Sequence, residues 1–461
     1  MVRHLAILAI AAVAGCSPGS GAGTASTAAP RGSSSSTSAK AGRGAAWTTY
    51  FRDRGRSGVA PDGPDRPASA RRQWSSPLLD GEVYAQPLLV GGRVVVATES
   101  DTVYALDASD GAVVWKTHVG EPVAGDSLPC GNVDPVGITG TPVVDAAAQR
   151  VYAAGMVQPG RHELYALDLP TGKVAASVVV DAPGADPAVH NQRGALSLSN
   201  GKVLVPFGGR FGDCGDYHGR LVAVPVTASG LGTPPPYSLP TQREGGFWAP
   251  SGATVDDAGN IFLTSGNSAS GAKYDYGNSV IRLGPGLRLE DSFAPTDWQS
   301  MNAADADLGS TGPVLLPNGR VFQVGKTGIG YLLDAADLGG VGGQLHDGKV
   351  CDGAAFGAAA HRGTTVFVPC TGAVVAVTAS ADRFDTAWTA ETSTPGPTIV
   401  TTGAVWAVAT GSGELLALDP QTGEKLFSQS IGSVPSRFTS PAAGGGRVVI
   451  GVGRRIVAFG D

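Results

Sequence analysis

The sequence predicts an all-β protein, a closed ring of eight four-stranded sheets, and three observations carry that prediction. Gly and Pro supply 68 and 32 of the 461 residues, while only 16% are charged and 3 are Met, which leaves little material for long amphipathic helices. One short pattern, Val103-Tyr-Ala-Leu-Asp107 followed by Asp110-Gly111 and Trp115, returns along most of the chain. Its last copy has no fourth strand, and a strand-like run with a matching Trp precedes the first copy. A chain of 461 residues would ordinarily divide into several cores, and repetition lets one fold reach this length. The formal charge of −6 gives no basic field for a run of phosphates, so nucleic acid is not an expected partner.

Taken in order, residues 1–15 read as a signal peptide, with Arg3 ahead of an apolar run from Leu5 to Ala14 that is too short to span a bilayer. Val13-Ala14-Gly15-Cys16 is similar to a bacterial lipobox, which makes Cys16 the expected lipidation site and the membrane anchor. Residues 16–45 are the expected tether, because a segment of mostly Ser, Gly, Ala, Thr and Pro cannot bury enough surface to fold. Residues 46–461 are expected to form the ring, with Trp47 to Arg56 as an ordered arm over it.

The first full unit reads as strands Tyr84–Val90, Arg93–Thr98, Thr102–Asp107 and Ala112–Val119, separated by turn residues. Its third strand has counterparts centred on Tyr165, Val222, Ile281, Tyr331, Val375, Leu416 and Val457, which makes eight. The clearest copies are Leu164 to Asp168 with Thr171-Gly172, and Leu415 to Asp419 with Thr422-Gly423 and Phe427. The Asp bonds nearby backbone N–H groups while the Gly takes a positive φ, which closes the hairpin between strands three and four. Trp115 and Phe427 are expected to pack between neighbouring sheets. Arg71 to Ser75, containing Trp74, is the expected closing strand, leaving no free sheet edge in an eight-bladed β-propeller of about 48 residues per blade. Cys130, Cys214, Cys351 and Cys370 suggest two disulfides in an exported protein. Pairing Cys130 with Cys214 and Cys351 with Cys370 keeps each bridge within adjacent or identical units.

The signature Ala-x-Asp-x-x-[Thr/Asp]-Gly-x-x-x-Trp resembles the repeat of the pyrroloquinoline quinone propellers, a family of quinoprotein alcohol dehydrogenases and non-catalytic relatives. The resemblance covers residues 74–461 and implies specific site residues. Trp248, after Gly245-Gly246, matches the aromatic floor under the quinone, and Asn267, after Gly266, matches a calcium ligand. Asp305 and Asp307 stand where the family has its catalytic Asp and an Asp near the metal, and Lys326 matches the Lys that contacts the quinone oxygens. The vicinal Cys pair found over the quinone in many members is absent, and the carboxylate completing the metal site has only Asp213 or Asp216 as candidates. The implied cofactors are pyrroloquinoline quinone and calcium. An aromatic face holds a planar cofactor, a hard cation polarises a carbonyl, and an Asp takes the proton of an alcohol as it is oxidised.

Two further stretches, His190 to Arg193 and Asp213 to His218, are placed to face a small ligand or cation near the channel, with Arg193 a candidate cofactor contact. No spacing for a zinc site, phosphate loop, nucleophile elbow or haem attachment is present. The leading expectation is an anchored extracytoplasmic propeller that binds a small molecule or an envelope protein without catalysis. The alternatives are a quinone-dependent dehydrogenase of alcohols or sugars and an envelope assembly scaffold.

Overall fold

A computed structural model describes residues 46–461. The signal peptide, Cys16 and the tether expected before residue 46 lie outside the described residues. Eight sheets with antiparallel four-stranded frames follow one another along the chain, seven taking their four strands in chain order and the eighth taking three. Blade one is Leu88–Val90, Arg93–Ala97, Thr102–Asp107 and Val113–His118. Blade eight is Ala442–Gly444, Arg447–Val452 and Arg455–Gly460, completed by Arg71–Ser75, which pairs antiparallel with the last of these. The ring therefore closes with the N-terminal strand, as the sequence predicts. Each of the eight expected positions, from Tyr104 to Val457, falls in the third strand of a blade.

The repeat is legible because the same contacts recur. Asp168 Oδ1 accepts from the N–H and hydroxyl of Thr171, and Asp419 Oδ1 accepts from the N–H groups of Gln421 and Thr422. Gly172 and Gly423 both take φ +74°, and each lies against the Trp of the preceding blade, Trp115 and Trp388. Each indole N–H then donates to that next blade: Trp115 to the Leu169 carbonyl at 3.0 Å, Trp388 to Pro420 at 3.2 Å. Trp74 does the same to Ala108 at 3.1 Å, so the closing strand locks blade eight onto blade one by the contact the repeat uses elsewhere. The core is the alternating inner face of these strands, with residues such as Val94, Leu106, Val449 and Phe459 fully buried.

The innermost strand of blade one is shorter than predicted, Leu88–Val90 rather than Tyr84–Val90. Pro87 has no N–H for a ladder, and Gln86 turns inward to bond the arm and the Ser440-Pro441 segment. The arm itself runs along the C-terminal ends of the innermost strands. It bonds Leu89 through Trp47, Val144 through Thr48, Leu196 through Thr49, Val255 through Arg54 and His361 through Ser57. Val59–Ala60 then adds in parallel to Ile399–Thr401, and Asp62 accepts from Gly446. One segment thus touches blades one, two, three, four, six, seven and eight, and it covers that end of the channel.

Candidate functional site

The other end of the channel holds a cavity of about 670 Å³. It is built where the N-terminal ends of innermost strands meet the C-terminal ends of second strands. Trp248 arrives six residues before the Thr254–Val255 strand, with Gly208 and Gly266 packed against it. A Cβ on Gly266 would stand 2.5 Å from Asp307 Oδ1 and 2.8 Å from Trp248 Nε1, so only glycine lets the indole, this backbone and the carboxylate stack so closely. The next residue, Asn267, donates its N–H to Asp307 Oδ1 at 2.7 Å and its side-chain amide to Asp305 Oδ1 at 2.8 Å. A short helix, Trp298–Ala303, supports this loop: Asn302 accepts from Ser268 N–H and Asn278 Nδ2.

Asp305 and Asp307 differ in a way the sequence does not show. Asp307 is 6% exposed, whereas the side chain of Asp305 is 70% exposed. Lys326 Nζ lies 2.5 Å from Asp307 Oδ2 and 2.9 Å from Asp305 Oδ1, and its backbone N–H donates to the Asp307 carbonyl. Burial pushes the Asp307 carboxyl above the usual carboxylate range, partly countered by the Lys326 ammonium, and the two carboxylates hold Lys326 above the ordinary lysine range against its own burial. The ammonium sits 5.8 Å from the Trp248 ring centre.

Three arginines, Arg193, Arg210 and Arg437, also line the cavity, Arg210 with its guanidinium bonded to the Ala188 carbonyl and Met156 Sδ at 2.6 Å each. Arg193 packs 4.2 Å over Phe438, reaches only Ser436 Oγ at 3.5 Å, and keeps a buried Nε without a partner. Arg210 is 3% exposed, with burial pulling it down to about 10, so it remains a cation at neutral pH. Arg437 lies 4.4 Å over Phe356. Phe438 meets Trp248 edge-on at 6.2 Å, which extends the aromatic wall.

Of the expected site residues, Arg193, Asp213, Trp248, Asn267, Asp305, Asp307 and Lys326 share this cavity. Asp216 does not: its side chain is 81% exposed, 3.7 Å from His218, at the tip of a turn beside Cys214. His190 is buried and satisfied by the Asp186 carbonyl and Arg220, so within its stretch Asn191 and Arg193 face the cavity. Among the described residues no three His, Cys, Asp or Glu side chains are grouped to hold a metal ion. Both expected disulfides are present. Cys130–Cys214 ties the loop after blade one to the Gly212-Asp213 rim of the cavity. Sequence reasoning missed Tyr84, Arg210, Phe356, Arg437 and Phe438 as lining residues.

Behind the guanidinium side lie two buried acids. Glu99 accepts from Gly137 N–H and Thr139 Oγ1 through one oxygen, and burial raises it to about 7. Asp101 is fully buried with neither carboxylate oxygen partnered, and burial and the neighbouring Glu99 and Glu121 raise it to about 9. A carboxyl whose folded pKa lies above its unfolded value near 3.8 costs nothing at low pH and destabilises increasingly as pH climbs toward 9. Asp101→Asn is therefore expected to melt higher than wild type at pH 8, by about 2 kcal/mol of stability, with the gap closing near pH 4. Thermal melts followed by circular dichroism across that range would refute this with parallel curves.

A family model described as outer membrane protein assembly factor BamB matches residues 65–277. Polyvinylalcohol dehydrogenase of Sphingopyxis sp. (strain 113P3) is 27% identical over an alignment of 330 residues that covers 61% of this chain. That family match covers less than half of the chain, and the described residues form an eight-bladed β-propeller. The match spans only 48% of the polyvinylalcohol dehydrogenase. Among solved structures the propeller overlays quinohemoprotein alcohol dehydrogenase ADHIIG from Pseudomonas putida HK5 with a TM-score of 0.70 at 16% identity, covering 90% of this chain and 80% of that one. A europium-containing methanol dehydrogenase gives 0.67 at 15% identity, covering 90% and 98%. At these identities the overlays establish the propeller fold of the repeats.

Proposed function

We propose that this propeller is a dehydrogenase of alcohols with pyrroloquinoline quinone as its cofactor. What supports this over the non-catalytic binding module is one observation: residues from separate blades, each singled out by the family resemblance, line a single cavity. The residues fit the quinone. Its flat ring system suits the Trp248 face, and its carboxylates suit Arg193 and Arg437, of which Arg193 carries an unpartnered buried Nε. The calcium expectation fits poorly, since the oxygens around Asn267 and Asp307 are already bonded within the chain.

When bound, the quinone supplies a two-electron acceptor for oxidation of an alcohol. The chain's own residues do the rest. Trp248 orients the ring, Asp307 is the buried base placed to take the hydroxyl proton, and Lys326 holds that carboxylate in place and gives the corner positive charge. Asp305, exposed and shared between Lys326 and Asn267, positions Lys326 rather than touching substrate. Phe211, 71% exposed at the cavity rim, suits an alcohol borne on an apolar carbon chain, in keeping with the name of the 27% identical relative. The two disulfides accord with export to an oxidising compartment, and anchoring through Cys16 is part of the same proposal. An envelope protein as partner has no observation of its own here beyond the description of the matching family.

The test is titration of the purified protein with pyrroloquinoline quinone, followed by quenching of tryptophan fluorescence and by calorimetry. Saturable binding is expected, weakened at least about tenfold in Trp248→Ala through loss of the stacking face. A folded wild type that binds no quinone would end the dehydrogenase reading.

A further inference from the structure

Most oxygens around the proposed quinone site are already bonded within the chain, and one side chain, Lys326, bridges two of the carboxylates. Asp307 Oδ1 accepts from Asn267 N–H at 2.7 Å, and Oδ2 faces Lys326 Nζ at 2.5 Å. The amide oxygen of Asn267, the atom a hard cation would use, accepts from Asn278 Nδ2 at 3.0 Å. Asp305 Oδ1 receives both Lys326 Nζ and Asn267 Nδ2. The remaining acids of the cavity are also engaged elsewhere: Asp213 Oδ1 accepts from the Tyr217 hydroxyl, and Glu244 Oε1 pairs with Arg243 at 2.7 Å. Calcium takes six to eight oxygen ligands, and this corner offers no such shell.

Lys326 is not a loosely held surface lysine. Its N–H is bonded to the Asp307 carbonyl, and a Cβ on the preceding Gly325 would stand 2.5 Å from that same oxygen, so the strand end is pressed against the Asp307 segment. Its ammonium is held by two carboxylates beside the face of Trp248. An ammonium is a compact point charge with three donors, which can satisfy two carboxylates and still direct one N–H to a ligand oxygen.

We propose that Lys326 takes the place of a divalent metal in this site, so that the protein binds its quinone without calcium or any other metal ion. The inference rests on the quinone reading above. It has a corollary: removing the ammonium leaves Asp305, Asp307 and Asn267 as an uncompensated oxygen cluster, and such a cluster gains affinity for a hard cation.

Two readouts on the full chain test this, one of them without quinone. In the first, metal-stripped protein is titrated with pyrroloquinoline quinone in EDTA and in millimolar calcium chloride. Wild type is expected to give dissociation constants within about twofold of one another, while Lys326→Met binds at least about tenfold more weakly in EDTA and recovers affinity when calcium is added. In the second, calcium chloride is added to quinone-free protein and melting is followed. Wild type should show no saturable rise in melting temperature, and Lys326→Met should show one. Lys326→Arg, which keeps the charge, should behave as wild type in the melting experiment and guards against a Met variant that fails to fold. Wild-type quinone binding that requires calcium, or a saturable calcium stabilisation of wild type, overturns the proposal. Failure of wild type to bind quinone with or without calcium would instead strike the dehydrogenase reading, and the quinone-free melting would still decide the metal question.

Discussion

Asp307→Asn should lower turnover of an alcohol by about 10²–10⁴-fold while leaving quinone affinity within a few-fold of wild type. Of the two carboxylates beside Lys326, Asp307 alone is withdrawn from solvent, and withdrawal raises its proton affinity above that of an ordinary carboxylate. Its Oδ1 is fixed by Asn267 N–H and its Oδ2 by Lys326, so the group is oriented before substrate arrives. The Asn variant keeps an acceptor for Asn267 N–H and nearly the same volume, which separates loss of a base from loss of shape. Asp305→Asn removes a carboxylate that is mostly in water and should cost about tenfold or less, through looser placement of Lys326. Dye-linked steady-state assays of both variants, with quinone affinity measured alongside, decide the assignment. Comparable losses in the two variants, or a loss confined to Asp305→Asn, would move the base to Asp305.

The order of the blades was legible because the same physical contact is repeated. An Asp that ties its own turn, a Gly at positive φ and a Trp that lies on the next blade's Gly need particular residue types, so they leave a periodic trace. The same trace placed Trp74 at the seam and kept both disulfides between neighbouring units. The acidic half of the cavity was legible through its family motif, and Gly266 shows why that motif is constrained: it is squeezed between the floor and the base. The guanidinium half was legible only at Arg193. Arg210, Phe356, Arg437 and Phe438 lie in connections with no periodicity and no turn chemistry, where sequence is free of the fold. A positional signal exists all the same. Tyr84, Arg193, Trp248, Asp307, Phe356 and Phe438 each stand four to seven residues before the innermost strand of a blade, where the chain enters the channel. Counting back from each blade would have found them. Asp213 and Asp216 show the limit of reading loops by composition, since three residues decide between the cavity rim and open solvent.

Trp47→Ala is expected to cost about 3–5 kcal/mol, the largest stability loss among single changes in the arm. The indole is fully buried, its N–H donates to Gln86 Oε1 at 3.0 Å, and its backbone pairs with Leu89. Removing the ring empties a large volume at the covered end of the channel and also leaves Gln86 Oε1 with one donor, the N–H of Phe51, where it had two. Trp47→Phe keeps most of the volume and loses only the N–H, so it should cost about 1–2 kcal/mol, and the difference between the two variants isolates packing from hydrogen bonding. The effect should also reach the cavity. Gln86 bonds Ser440 Oγ and the Pro441 carbonyl at 2.7 Å each, and it stands two residues from Tyr84 as Ser440 stands two residues from Phe438. The arm therefore fixes, through one glutamine, the two neighbouring connections, into blades one and eight, that bring Tyr84 and Phe438 to the site. If that coupling is real, Trp47→Ala weakens quinone binding along with stability although it touches no cavity residue, whereas Trp47→Phe leaves binding near wild type. Denaturant melts paired with quinone titration would show it, and full-affinity binding by a destabilised Trp47→Ala would make the arm a closure device with no hold on the site.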